Sequence, residues 1–225
     1  MYESIVTLHA FAGTLALLAF WAAAFSRKGS IIHVRSGKLY LSAMVAVLAS
    51  GFPIAIARFL QGQPVTGAFL SYLLIISTTT AWLSWRAVRD QGNWRRFTGP
   101  IYRVLMWLNL AGGLSMFAVG YFFASNSRPV VMGYSLIGLL VFNGMRKFAK
   151  VPPAGSRWWL GQHINGMMGN AVATHVAFLS IGLPKLIPQL AGPTLQMMSW
   201  FGPIVAALLA GSYFSRKFVR QRSMP

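Results

Sequence analysis

Phe25-Ser26-Arg27-Lys28-Gly29-Ser30-Ile31-Ile32-His33-Val34-Arg35-Ser36-Gly37-Lys38 joins two long apolar runs, and it holds four basic residues and no acid. The next break between apolar runs, around Gln61-Gly62-Gln63-Pro64, holds only Arg58. Working outward from this pair, the Lys and Arg counts of successive connections, termini included, are none, four, one, five, one, four, one and four. The rich segments after the first are Arg86, Arg89, Arg95, Arg96 and Arg103; Arg146, Lys147, Lys150 and Arg157; and Arg216, Lys217, Arg220 and Arg222. The poor ones hold Arg58, Arg128 and Lys185. Loops kept in the cytoplasm retain Lys and Arg, whereas translocated loops lack them. Seven membrane spans, with the N-terminus outside and the C-terminus cytoplasmic, satisfy every connection.

Composition agrees. Of 225 residues, 56% are hydrophobic, and Glu3 and Asp90 are the only acids. Apolar runs near the twenty residues needed to cross hydrocarbon recur throughout. The expected fold is an all-α, polytopic transmembrane bundle forming one domain over residues 1–225, with spans at 4–25, 38–59, 66–86, 101–124, 130–147, 160–183 and 196–214. The net charge of +18 does not imply a nucleic-acid partner, because 17 of the 20 basic residues fall on one expected side, at span ends. There they set topology and meet anionic headgroups. The first run lacks a basic leader and enters a basic stop-transfer loop, so it is expected to be a retained helix.

Punctuation supports the spans. Gln91-Gly92-Asn93 and Val151-Pro152-Pro153-Ala154-Gly155 break the chain on the inner side, and Pro100 stands where a first helical turn tolerates it. Pro184, Pro188 and Pro193 fall in the expected outer loop, while Pro53 lies inside span two and is expected to kink it. Glycines, Asn165, Asn170 and Thr174 make span six thin and polar, and Asn109, Gly112, Gly113 and Gly120 do the same for span four. Small residues let helices approach closely, so spans one, two, four and six are expected at the centre.

The chemistry available is narrow. No cysteine is present, which excludes disulfides, iron–sulfur clusters and covalent haem attachment. No span contains Asp or Glu, so the usual equipment of proton relays, cation-coupled carriers and zinc hydrolases is missing. Four histidines remain: His9, His33, His163 and His175. By depth they sort into an inner pair, His33 in the first cytoplasmic loop with His163, and an outer pair, His9 with His175. Neutral imidazoles from different helices suffice as axial ligands of one or two b-type haems. His163 and His175 stand twelve residues apart, about 18 Å along a helix and about 120° out of phase, so they do not share a face. The competing account makes each histidine a hydrogen-bonding bridge between helices.

Trp82, Trp85, Trp94, Trp107, Trp158, Trp159 and Trp200 mostly lie near span ends, where an interfacial belt explains them without a quinone pocket. The eleven methionines suit packing better than soft-metal binding. Arg103 and Arg157 could face haem propionates, although topology already accounts for both.

The segments His9-Ala-Phe-Ala-Gly13-Thr-Leu-Ala16-Leu17, Lys28-Gly29, His33-Val-Arg-Ser-Gly37-Lys-Leu-Tyr40 with Met44, and Trp159-Leu-Gly-Gln-His163 with Met167 and Ala177-Phe178 carry a family likeness. Together they resemble an uncharacterised family of bacterial multi-pass membrane proteins, filed as a domain of unknown function. The resemblance implies a multi-pass protein of the bacterial inner membrane and draws attention to His9, His33 and His163, but it supplies no activity. A looser likeness is to b-type membrane cytochromes, whose ligand helices carry histidines inside the span. The leading function expected from the four histidines is electron transfer through bound haem between a membrane quinol and an acceptor. Two other functions stay open: a non-redox carrier or assembly protein with structural histidines, and a membrane enzyme with histidine-bound metal.

Overall fold

A computed structural model of the chain describes residues 2–124 and 128–220. Arg222, from the last basic cluster, lies outside the described residues. The fold is all helical: α1 (Tyr2–Phe25), α2 (Ile31–Leu60), α3 (Pro64–Arg89), a short α4 (Trp94–Phe97), α5 (Pro100–Phe123), α6 (Arg128–Lys150), α7 (Trp158–Ala177), a short α8 (Leu183–Leu186) and α9 (Pro193–Ser215). Among the described residues, seven helical segments are long and apolar enough to cross a membrane, the sixth running from Trp158 to Leu186. Large apolar side chains such as Phe11, Val45, Phe122, Leu140 and Leu209 stand exposed around the outside. Lipid tails solvate such a surface, and helices keep every main-chain bond internal there.

Local chemistry sets the helix ends. Ser30 caps α2, its hydroxyl accepting from the His33 N–H at 3.3 Å, and Gly29 turns the chain into the cap at φ +81°. The helix therefore begins seven residues before the expected start at 38. His33 is not a loop residue but sits in the first turn of α2. Pro64 and Pro100 each open a helix, where a missing N–H costs nothing. The sixth span outlasts its expected end because a π turn at Phe178–Gly182 carries α7 into α8. That wider turn accommodates Pro184, which stands in a helix rather than in the outer loop. Pro53 lies within α2, which remains one helix while losing the N–H that Ala49 would otherwise bond.

Helix α3 forms the centre. It packs on α2, α5 and α7, while α1 pairs chiefly with α2, α6 with α5, and α9 with α7. Span one thus lies further out than its sequence suggests and span three further in, while span four has the largest buried share of the seven. The signal in span three is its hydroxyl run. Ser77, Thr79, Thr80 and Ser84 are all buried. Thr79 accepts from Asn109 Nδ2 of α5 at 2.7 Å, and Thr80 lies 3.1 Å from Asn170 Oδ1 of α7. Asn170 Nδ2 has no partner in this orientation. Turning the amide over would let that nitrogen donate to the Thr80 oxygen, whose proton then goes to the Ile76 carbonyl at 3.1 Å.

Glycine sets the α3–α7 approach. A Cβ on Gly166 would lie 2.7 Å from the Ser84 nitrogen and 2.8 Å from the Thr80 carbonyl oxygen. Lipid provides little hydrophobic drive between helices, so close backbone contact of this kind supplies the packing energy.

At the basic end, α4 inserts Phe97, fully buried, among Trp82, Tyr102, Phe148 and Trp158. Trp94 Nε1 donates to the Phe148 carbonyl at 3.3 Å. Trp82 and Trp158 therefore pack on Phe97 in one aromatic cluster, and Trp94 is tied to α6 through its indole N–H. Trp85 and Trp107 do stand exposed on the outer surface.

Candidate functional site

Three of the four imidazoles share one arrangement. His33 Nδ1 meets the Ala23 carbonyl at 3.0 Å, His163 Nδ1 meets the Ser84 carbonyl at 2.9 Å, and His175 Nδ1 meets the Ala171 carbonyl at 2.8 Å. A carbonyl oxygen only accepts, so in each ring Nδ1 carries a proton and donates it. No hydrogen bond involves Nε2 of these three among the described residues. His9 Nδ1 lies 3.0 Å from Ser50 Oγ, whose own proton goes to the Ala46 carbonyl at 2.6 Å. That ring also donates, and it lies over Gly51, where a Cβ would stand 3.6 Å from its Cε1.

Of the inner pair, His33 lies in the first turn of α2 and His163 near the start of α7, both at the basic end. The outer pair is separated. His175 packs edge-on against Phe20 and Trp21, with ring centroids 5.3 Å from each. Those residues lie eleven and twelve positions along α1 from His9, about 17–18 Å of helix. His9 and His175 thus occupy separate surroundings and cannot hold one iron between them here. The reason lies in how the helices cross. Tyr40 and Thr174 are hydrogen-bonded at 3.0 Å, which sets the upper part of α7 against the lower part of the α1–α2 hairpin.

His175 Nε2 is buried and has no partner. An uncompensated polar atom of this kind costs on the order of 1–3 kcal/mol. Trp21 and Phe20 enclose it without offering it a donor in this arrangement.

His33 shares its acceptor. Ser26 Oγ and Lys28 Nζ also reach the Ala23 carbonyl, at 3.0 and 3.2 Å, and Lys28 Nζ meets the Ala24 carbonyl at 2.5 Å. These groups answer the open carbonyls at the end of α1. Partial burial holds the Lys28 ammonium below its ordinary pKa.

Of the two arginines considered for propionates, Arg157 stands at the N-cap of α7, about 1.7 turns before His163. Arg103 is on α5, which packs on α3 and α6. The residue that sequence reasoning missed is Ser84. A lone serine in an apolar span carries no sign that its carbonyl will orient an imidazole.

Among the described residues, no three His, Asp or Glu side chains gather as a three-ligand metal site requires. Two open clefts, of about 470 and 290 Å³, have no histidine in their linings. The first is a cleft between α7 and α9, past Gly169 and Gly211; the second lies at the basic end beside Trp82. No known protein family, curated protein or solved structure matches the chain.

Proposed function

We propose that this integral membrane protein holds a b-type haem through His33 and His163 on its basic side and passes electrons there. The observation that carries the reading is the common state of the two imidazoles. Each donates its Nδ1–H to a main-chain carbonyl, and among the described residues no hydrogen bond engages its Nε2. Histidines that bind metal are oriented in this way, the second nitrogen fixing tautomer and ring plane. Bound haem would supply the one-electron couple. The chain supplies two ligands from different helices, a low-dielectric surround and, in Arg157, a cation on the ligand-bearing helix. On this reading the basic face is cytoplasmic, the N-terminus lies outside, and the protein resides in the bacterial inner membrane with a quinol or redox protein as partner.

A second reading has its own observation. The bonds from His9 to Ser50, from His33 to Ala23 and from His163 to Ser84 each tie two helices together, and neither cavity reaches a histidine. The histidines would then be structural, and the protein a non-redox carrier or assembly partner.

One measurement separates the two. Detergent-purified protein, expressed with ample haem, is examined by visible spectroscopy before and after dithionite, with haem counted per chain. A reduced b-type α-band near one haem per chain supports the cytochrome reading. A flat spectrum sinks it and leaves the structural reading.

A further inference from the structure

We infer that the basic-end cavity lined by Trp82, Arg86, Arg95, Arg96, Pro100 and Ile101 binds the phosphate of an anionic phospholipid from the adjoining leaflet. This is independent of the haem proposal and involves none of its residues.

The cavity is built for an anion. Three guanidinium groups line it and Asp90 is the one carboxylate beside them, so 3 − 1 leaves a net charge of +2. Asp90 is fully buried behind the arginines, its Oδ2 2.6 Å from Arg86 and its Oδ1 3.3 Å from Arg96 Nε. It therefore holds the Arg86 guanidinium by a hydrogen bond and faces the exposed Arg96 across a looser ion pair, in which its Oδ1 makes no hydrogen bond. The Arg86 group is held further over the faces of Trp82 and Trp85, at 5.7 and 5.6 Å. A guanidinium fixed before binding loses little freedom when it meets a phosphate. Arg95 has no carboxylate within ion-pair distance among the described residues, and it stands exposed at the rim.

The backbone adds to this. The 24-residue helix α5 starts at the cavity, with Gly99 as a cap that offers no side-chain acceptor to the first N–H groups. Those open donors and the helix dipole favour negative charge.

The lipid origin of the phosphate follows from what continues beyond the cavity. Ile101, Val104 and Leu108 stand 56%, 57% and 42% exposed, and their spacing places them on one stripe of α5 leading away from the arginines. A charged pocket opening onto a lipid-facing apolar stripe matches a phosphodiester with acyl chains. A free phosphate would have no use for the stripe.

The test uses the full chain, delipidated in mild detergent and then offered phosphatidylglycerol or phosphatidylcholine, with bound lipid read by native mass spectrometry. Phosphatidylglycerol should be retained in preference. Arg95→Gln with Arg96→Gln should lower its retention about ten-fold, the loss of one to two charge-assisted contacts. Arg146→Gln with Lys147→Gln, elsewhere on the basic face, should leave it unchanged. Equal retention of both lipids, or equal loss in both double variants, would overturn the site as diffuse attraction. Displacement of phosphatidylglycerol by millimolar glycerol phosphate would overturn the lipid source in favour of a soluble phosphate. Should the first double variant fail to fold, Arg95→Gln alone carries the test, since Arg95 lies outside the Asp90 ion pairs.

Discussion

His163 of α7 donates from Nδ1 to the main-chain carbonyl of Ser84 on α3 at 2.9 Å. One helical turn later Gly166 lies flat against the same stretch of α3, so imidazole and glycine together fix how the two helices meet. In a neutral ring this bond fixes the tautomer that leaves Nε2 available to a metal. The same geometry therefore serves packing and ligation, and only measurement of a cofactor separates them.

That relationship yields the first prediction. If haem is bound through His33 and His163, His163→Ala should lower haem per chain at least about ten-fold. His9→Ala should leave occupancy nearly intact, because His9 sits about 17–18 Å along α1 from the residues that enclose His175 and belongs to no histidine pair. Pyridine haemochrome titration of the purified variants reads both. Equal loss in the two variants would show that the histidines act through folding alone.

Gly166→Ala tests the α3–α7 contact. The added Cβ would meet the Ser84 nitrogen at 2.7 Å and the Thr80 carbonyl at 2.8 Å, both of them backbone that cannot rotate aside. The helices must separate, at a cost of about 1–3 kcal/mol. Gly133→Ala, with nothing within 4 Å of its Cβ, is the matched control. Unfolding in detergent should show a lower midpoint for the first variant only, and matching midpoints would mean that α3 and α7 are not packed this closely.

Tyr72 offers a third test. Its hydroxyl accepts from the Gly138 N–H at 2.7 Å and donates to the Tyr134 carbonyl at 3.0 Å, two groups that would ordinarily bond each other within α6. A side chain from α3 thus stands in the hydrogen-bond ladder of α6. Tyr72→Phe keeps the ring and removes the bridge, and it should cost about 1 kcal/mol, as interhelical hydrogen bonds in membranes do. A variant as stable as the parent would show that the ladder closes without the hydroxyl.

Lys28 gives a pH dependence of known sign. Its folded pKa is lowered by burial from the ordinary 10.5. Between the two values the unfolded chain holds more of this proton, so stability rises with pH across that window. Below the folded value both states are charged, and the burial cost is present in full. Partial exposure keeps the slope shallow. Lys28→Gln should flatten the difference between pH 8 and 10.5 relative to the parent, while Ser26 and His33 still bond the Ala23 carbonyl. A slope that is steeper in the variant would contradict the assignment.

The seven spans and the gathering of basic residues at one end of the bundle are legible in the chain itself. Both depend on properties that each segment carries alone: its length, its transfer free energy into hydrocarbon and the charge flanking it. Pro100 at a helix start is equally local. The early start of α2 was legible too, since Ser30 ahead of the apolar Ile31 and Ile32 is a capping signal, and it places His33 on a helix.

Which helix is central, and which histidines meet, only the assembled bundle decides. Helices apolar on every side have no preferred inward face, so periodicity carries no orientation. Rotation and crossing come instead from paired contacts: Gly166 against Ser84, Asn109 on Thr79, Tyr40 on Thr174. Each is half of a relationship whose other half is 30 to 134 residues away. Depth counted along single helices matched His9 with His175 because it assumed parallel spans. The crossing of α7 over the α1–α2 hairpin placed His175 beside Trp21 instead, far along α1 from His9.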